Sequence, residues 1–175
     1  AIRAALEQSG GNGADVSEVI MGCVLPANLG QAPARQAALA AGVPKAAGAT
    51  TINKVCGSGM KAIMLGHDLI KAGSAKVVVA GGMESMTNAP YLIKKHRSDA
   101  RIGHDTAYDH MFLDGLEDAY EAGRAMGTFA QDTADAYQLS RQAQDDYAIE
   151  SLKRAQAAIA DGAFAAEITP VTLAT

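Results

Sequence analysis

The sequence predicts an α/β fold built on a parallel β-sheet. Three short segments rich in branched aliphatic residues, 16–25, 49–55 and 76–80, are typical of buried strands. Segments of helix-forming residues separate them, and strand alternating with helix favours parallel pairing. Hydrophobic residues make up 49% of the 175 positions and charged residues 19%, which is enough apolar material for a buried core.

The elements follow in order. Ile2 and Leu6 have helical spacing, and the first strand comes next. The second helix has Pro33 in its first turn, Ala-rich helix formers behind it, and Gly42 and Pro44 at its end. Residues 49–55 then form the second strand, 57–71 the third helix and 76–80 the third strand, which Gly81 and Gly82 close.

The composition changes at about Asn88. Charged residues crowd the segment 94–110, and we expect an exposed loop there. Thr128 and Gln131 have the spacing of a capping box at a helix start. A helix from Ser140 to Asp161 should follow, with Tyr147, Leu152, Ala155 and Ile159 on one face and Gly162 at its end.

Both ends of the sequence indicate an internal piece of a longer protein. No Met and no N-cap residue precedes Ile2, so we expect the chain to begin inside a helix. Residues 167–175 are β-branched and strand-like, and they stop without a turn or polar tail.

Charge and cysteine content exclude several classes of function. The net charge is −4, and no basic stretch is interleaved with aromatic residues, so we expect no nucleic-acid partner. No apolar run reaches the roughly 20 residues that cross a bilayer, so we expect no membrane partner. Two cysteines cannot build a disulfide framework, which favours a reducing, cytoplasmic location.

The four histidines indicate no metal site, because no Cys or His stands at metal-ligand spacing from them. We expect His67 to be a hydrogen-bonded residue at the core or its edge. His96, His104 and His110 fall in the charged segment, where we expect them to be solvated.

Cys56 is the strongest candidate for chemistry. The stretch NKVCGSGM, 53–60, places it where a strand passes into a helix, and the small residues behind it allow close approach of a ligand. The N–H groups at the helix start favour thiolate, the nucleophilic form of the side chain. The alternative is a buried and inert cysteine in a turn. Cys23, inside an apolar strand, fits that inert role.

The helix after Cys56 is apolar around nearly its whole circumference, which requires burial on all sides. The residues responsible are Met60, Ile63, Met64, Leu65, Leu69 and Ile70. Three strands and one other helix can hardly cover them, so we expect structure outside this sequence to do so. Cys56 would then lie at the bottom of a cleft shared with that structure.

Three segments together resemble the thiolase family: NKVCGSGMKAIMLGHDLIKAG at 53–73, VVVAGGMESMTNAPY at 77–91, and DGLEDAY…AMGTFAQDTA…SRQAQDDYAIES from 114 onward. The likeness follows the order of the family through practically all 175 residues. Within the family, the wording is most similar to the acetyl-CoA C-acetyltransferases, which are acetoacetyl-CoA thiolases.

The resemblance implies a thiolase-like fold, in which two βαβαβαββ halves form a five-layered α/β/α/β/α core and a loop domain is inserted in the first half. Residues 1–87 would be part of the N-terminal α/β half, and 88–175 would be part of the loop domain. The charged excursion at about 94–110 would assist oligomerisation, and the protein would form a homo-oligomer, a dimer or tetramer.

The resemblance also implies the chemistry. Two acetyl-CoA molecules would condense to acetoacetyl-CoA and CoA, or the reverse thiolysis would run, through an acyl-Cys56 intermediate. Leu116 and Met126 match residues at the substrate end of the family's pocket, with plain packing as their alternative role. Acetyl-CoA, acetoacetyl-CoA and CoA would be substrates and products, with no other cofactor and no metal.

Two departures from the family pattern bear on this expectation. The GHPxGxSG histidine motif and the CxGGGxG cysteine motif of the family's second half do not occur in this sequence, and Ala125 stands where relatives often carry the histidine of HMG. Alternatives are a longer-chain 3-ketoacyl-CoA thiolase, a ketoacyl synthase, or a catalytically silent fragment lacking the second half.

Overall fold

The structure, a computed structural model, describes residues 1–97 and 100–172. The helices are α1 (Ile2–Gln8), α2 (Pro33–Ala40), α3 (Ser58–Lys71), α4 (Met126–Ala136) and α5 (Arg141–Ala160). The strands are β1 (Glu18–Gly22), β2 (Gly48–Ile52), β3 (Val78–Gly82), β4 (Tyr91–Ile93) and β5 (Ala107–Asp109). The chain divides into two compact units, Ala1–Gly123 and Arg124–Thr175.

The first unit is built on a parallel sheet with β1 in the centre, in the order β2-β1-β3. The two crossover connections run in opposite directions across the sheet. Because such connections are right-handed, α2 and α3 lie on opposite faces. The predicted parallel α/β architecture is confirmed.

Alternate residues of the strands serve the two faces of the sheet. Val19 and Met21 belong to the core on the α2 face, together with Ala34 and Ala38 of that helix, all of them buried. On the other face, Gly66 of α3 lies directly over Val78, since a Cβ at Gly66 would be 3.0 Å from Val78 Cγ1. Because Gly66 has no side chain, α3 can lie close to the sheet at this point.

The face of α3 away from the sheet remains apolar and exposed in this chain. Ser58, Ala62 and Gly66 are its sheet-facing residues. Met60 is 71% exposed and Ile63 59%. The sheet-facing side of α3 thus consists of small residues, and none of the six larger apolar residues is buried: Leu65 and Leu69 are half-buried, and the other four are exposed.

The segment 88–110 contains an antiparallel strand pair in addition to the exposed loop expected over 94–110. β4 and β5 lie within 88–110 and pair antiparallel. The ammonium of Lys94 lies 4.0 Å from the ring centre of Tyr108 on the opposite strand. Ser98 and Asp99, in the same segment, lie outside the described residues.

The second unit corrects the predicted capping box. α4 begins at Met126, two residues before Thr128, and its N-cap Ala125 gives no side-chain cap. The Thr128 hydroxyl donates to the Ala125 carbonyl at 2.7 Å, while the Gln131 amide donates to the Asp135 carboxylate at 2.9 Å. Neither side chain satisfies a helix-start N–H, so the capping-box prediction is wrong.

The last helix begins as expected, because the Ser140 hydroxyl accepts a hydrogen bond from the Ala143 N–H at 3.1 Å. Tyr147, Leu152 and Ile159 on α5 are exposed. The strand predicted over 167–175 is not present at 167–172, and 173–175 lie outside the described residues. Within the described ranges, no helix combines the length and apolarity needed to cross a membrane.

Candidate active site

The three parallel strands deliver three loops to one edge of the sheet. Residues 23–25 follow β1, 53–57 follow β2 and 83–86 follow β3. Crevices outside the carboxyl ends of parallel strands are where open α/β sheets bind ligands. Here the loops border a cleft of about 440 Å³, whose lining residues are Gly22, Val24, Leu25, Val55, Cys56, Ser58, Gly59, Gly82, Met83, Glu84, Met86, Met111, Gly115 and Leu116.

Cys56 lies in this cleft with an exposed, unbridged thiol. It sits between the end of β2 and the start of α3, as the sequence indicates. The turn that carries it is closed by main-chain hydrogen bonds, from Gly57 N–H to the Lys54 carbonyl and from Ser58 N–H to the Val55 carbonyl, both 3.1 Å. The predicted location is observed, and the catalytic role stays a prediction.

The side chain of Ser58 stabilises the same turn. It is buried, accepts a hydrogen bond from Lys54 N–H at 2.8 Å and donates one to the Val55 carbonyl at 2.5 Å. A buried hydroxyl that uses both its donor and an acceptor position fixes the backbone on either side. Cys56 is thus held at a defined place at the helix start.

Val55, the residue before the cysteine, adopts the left-handed region with φ 47°. A β-branched residue there is strained and persists only where its surroundings enforce it. Asn53 contributes to that enforcement, because its Oδ1 accepts a hydrogen bond from Val55 N–H at 2.9 Å. Stored backbone strain of this kind concentrates at functional sites.

Gly22, the last residue of β1, allows α3 to approach the sheet edge. A Cβ at this position would lie 2.6 Å from both the carbonyl carbon and the Cβ of Ser58. Only glycine fits between the strand and the first turn of the helix. This contact sets the distance between the sheet and the turn that bears Cys56.

Glu84 joins the loop after β3 to the loop after β1. Its Oε2 accepts a hydrogen bond from Val24 N–H at 2.8 Å, and its Oε1 accepts one from Leu25 N–H at 2.9 Å. The Cys23 thiol also approaches Oε1, at 3.6 Å. Hydrogen bonds to a carboxylate are stronger than bonds between neutral groups. The two main-chain bonds to Glu84 therefore clasp the loop after β1 to the loop after β3, and they are called the clasp bonds below.

Cys23 is buried, as the sequence indicates. Desolvation by burial raises the pKa of its thiol, and the neighbouring Glu84 carboxylate raises it further. The Cys23 side chain therefore stays a neutral thiol, unlike a cysteine chosen for nucleophilic attack.

A turn of π-helix, Phe112–Leu116, contributes another part of the cleft lining. Leu116 lines the cleft, and its role at the substrate end stays a prediction. The expectation of a solvated His110 is wrong, because this residue is only 4% exposed. Its Nδ1 lies 2.7 Å from the Asp114 carboxylate, and its Nε2 accepts a hydrogen bond from Ala27 N–H at 3.4 Å. These two hydrogen bonds hold the π-helical turn in place beside the cleft.

Met126 belongs to the second unit, where it is the first residue of α4 and is 43% exposed. Its substrate-lining role stays a prediction. Nearby in that unit, the Arg124 guanidinium lies 3.8 Å from the ring centre of Phe129 and forms an ion pair with Asp132. In the described part of the chain, no group of three or more His, Cys, Asp or Glu side chains is placed to hold a metal ion.

Sequence reasoning did not single out Ser58, Asn53 or Glu84. Ser58 had a local signal, since a hydroxyl residue directly after a predicted turn can bond to its backbone. Glu84 had a weaker one: an acidic residue just past a Gly-Gly strand end lies at the carboxyl edge of the sheet.

Comparisons with known proteins agree with this architecture. The chain matches the family model for the thiolase N-terminal domain over residues 1–175. Acetyl-CoA acetyltransferase 2 of Arabidopsis thaliana is 52% identical over 171 residues, which is 98% of this chain and 42% of that protein. Acetyl-CoA acetyltransferase of Cupriavidus necator is 49% identical over 172 residues, with 98% and 44% covered.

A solved structure gives the same result. The crystal structure of Acat5 thiolase from Ascaris suum in complex with coenzyme A superposes with a TM-score of 0.90 and 41% sequence identity, covering 97% of this chain and 44% of that one. The chain thus spans less than half the length of the relatives it matches. It has the α/β fold of the N-terminal part of those proteins, and it belongs to the thiolase family.

Proposed function

We propose that this chain is the nucleophile-bearing part of a thiolase-type acyltransferase that interconverts two acetyl-CoA with acetoacetyl-CoA and CoA. The observation that carries the proposal is the exposed Cys56 thiol in a cleft at the carboxyl edge of a parallel sheet. Relatives named acetyl-CoA acetyltransferase support the substrate assignment, and a neighbour solved with coenzyme A supports CoA as the carrier.

In the cleavage direction, the Cys56 sulfur attacks the 3-keto carbon of acetoacetyl-CoA. The bond between C2 and C3 breaks, the acetyl group stays on the sulfur as a thioester, and the departing carbanion takes a proton to become acetyl-CoA. The thiol of free CoA then attacks the acetyl carbon, which regenerates Cys56 and releases a second acetyl-CoA. Condensation follows the same steps in reverse.

In that scheme, the residues of this chain provide the nucleophile and hold it in place, and they do not transfer the proton. Ser58, Asn53 and the strained Val55 fix the turn, so the sulfur is aimed before substrate arrives. We propose that the general base and the second cysteine of the family come from sequence outside these 175 residues, since their motifs do not occur here.

We also propose the organisation that the family resemblance implies. Residues 1–87 belong to the N-terminal α/β half, 88–175 to the loop domain, and the excursion at 94–110 to the contacts of a cytoplasmic homo-oligomer, a dimer or tetramer. The exposed apolar face of α3, with Met60 and Ile63 at its centre, is the surface that the second half would cover.

The test uses the full-length protein that contains this chain. After incubation with acetoacetyl-CoA, mass spectrometry should find an acetyl group, about 42 Da, on the Cys56 peptide, and Cys56→Ala should lose both the adduct and at least about 10³-fold of the activity. For the adduct, Cys23→Ala is the matched control, because it removes the other thiol of the chain, which is buried. An active enzyme with no adduct on Cys56 would contradict the assignment.

The same assay separates the alternatives. Turnover that rises with acyl chain length favours a longer-chain 3-ketoacyl-CoA thiolase, and condensation with malonyl-CoA favours a ketoacyl synthase. The 175-residue segment alone should cleave no acetoacetyl-CoA, because the proposed base is absent from it. Cleavage by that segment would show that its own residues suffice.

A further inference from the structure

The Glu84 carboxylate has a place in the site that the acyl-transfer scheme does not use. It lines the cleft with Cys56, yet both of its oxygens accept main-chain hydrogen bonds, from Val24 and Leu25. The Cys23 thiol also approaches Oε1, at 3.6 Å, so three of the roughly four acceptor positions of this carboxylate face the loop after β1. A carboxylate clasped to two successive N–H groups is suited to holding a loop.

The loop after β1, which Glu84 holds, is also hydrogen-bonded to the residues that lead from β2 to Cys56. Cys23 N–H donates to the Ile52 carbonyl at 2.9 Å, which extends the pairing of β1 with β2 by one residue. The Val24 carbonyl then accepts a hydrogen bond from Asn53 Nδ2 at 3.5 Å, the longest bond in the series. The other atom of that amide, Oδ1, accepts the Val55 N–H.

One route of hydrogen bonds therefore runs from Glu84 to the residue before the nucleophile. Glu84 accepts the N–H of Leu25 and so fixes the peptide unit that contains the Val24 carbonyl. That carbonyl orients the Asn53 amide, and the amide holds Val55 in its left-handed conformation. Val55 pays a conformational cost there, so the turn relaxes if this support weakens. Relaxation would move the Cys56 sulfur.

We propose that Glu84 is a positioning residue that aims Cys56 through Val24 and Asn53. This inference rests on the proposed acyl transfer for its kinetic consequence, and on the geometry alone for its effect on the thiol. Among the described residues, no hydrogen bond joins Glu84 to Cys56, so Glu84 acts on the nucleophile through the loop after β1.

Two substitutions in the full-length protein cut the route at different points. Glu84→Gln keeps one acceptor oxygen and turns an NH₂ group toward a main-chain N–H, so one clasp bond is lost. Asn53→Asp keeps the oxygen that accepts from Val55 and removes the donor to Val24. Glu7→Gln, the same chemical change on the exposed surface of α1, is the control.

The expected result is a fall in kcat of about 10- to 100-fold in either variant, with KM changed less than about 3-fold. The unfolding midpoint of Glu84→Gln should also fall, because one main-chain N–H loses its acceptor, so kcat is measured well below that midpoint. The rate at which iodoacetamide alkylates Cys56, followed by mass spectrometry, should fall by about 3- to 10-fold. The double variant should lose no more than the worse single variant, because both substitutions cut one route.

Additive losses in the double variant, or an unchanged alkylation rate, would overturn the proposal. If Glu84→Gln does not fold, Asn53→Asp alone decides, since it leaves the Glu84 bonds in place; a wild-type kcat and alkylation rate would then refute the route. If the wild-type protein shows no acyl transfer, the proposed function fails, while alkylation of Cys56 still tests the positioning role.

Discussion

Replacing Gly22 by alanine tests how closely the start of α3 must approach the sheet. The added Cβ would lie 2.6 Å from two Ser58 atoms, one of them backbone. Ordinary carbon contacts are about 3.5–4.0 Å, so strand and helix must separate by about 1 Å. Ser58 cannot yield by rotating, because its backbone carbon is one of the contacts.

The separation has two consequences of different kinds. Overpacking a tight contact costs about 1–3 kcal/mol of the free energy of unfolding, and we expect the upper part of that range because backbone must move. The Cys56 turn is hydrogen-bonded to Ser58 and moves with it. A nucleophile misplaced by about 1 Å loses on the order of 10²-fold in rate, so activity should fall further than stability does.

Gly81→Ala is the matched control, since Gly81 pairs with Met21 beside the same edge and its Cβ would only touch Met21 Cε at 3.8 Å. Urea unfolding of the full-length protein measures stability, and acetoacetyl-CoA thiolysis measures activity. Gly81→Ala should stay within about 0.5 kcal/mol of wild type. Equal behaviour of the two variants in both assays would refute the close-contact argument.

Two further predictions concern other buried groups near the cleft. Ser58→Ala leaves the Lys54 N–H without its acceptor and should lower the free energy of unfolding by about 1–3 kcal/mol, measured by urea denaturation, with Ser140→Ala on α5 as a cap-loss comparison outside the cleft. For Cys23, the folded pKa is raised above the ordinary value of 9.0, so the unfolded chain releases its proton first as pH rises. Its contribution to stability is present below about pH 9 and is lost as pH rises through the folded pKa; unfolding at pH 7 to 10 should therefore show a weaker pH dependence in Cys23→Ala, and an identical dependence would contradict the raised pKa.

The parallel sheet and its helices were predictable because their signals are local. The β-branched run before Gly22 and the Pro33 and Gly42 boundaries of α2 each depend on a few neighbouring residues. The pairing of β4 with β5 was missed, because each strand has only three residues and charged residues lie between them. Their pairing depends on contact between the two strands and leaves no local pattern. α4 was misplaced because its N-cap, Ala125, has no side-chain signal at all.

The position of Cys56 followed from the sequence for the same reason: a strand, a small-residue turn and a helix start lie within ten residues. Its surroundings did not follow. The bond between Glu84 and Val24 joins residues 60 positions apart, and the sequence of neither segment predicts its partner. Likewise, His110 looked solvated beside charged neighbours, but tertiary packing buries it against Ala27.

Strand order is the physical fact that separates the predictable part of the site from the rest. Alternating strands and helices require that the loops after β1, β2 and β3 share one edge, and the sequence shows that alternation. Because the order is β2-β1-β3, the loop after β1 lies between the other two, so Val24 receives Glu84 from one side and Asn53 from the other. With β2 in the centre, Glu84 would face the cysteine loop directly, and its carboxylate would stand beside the nucleophile instead of supporting it from a loop away.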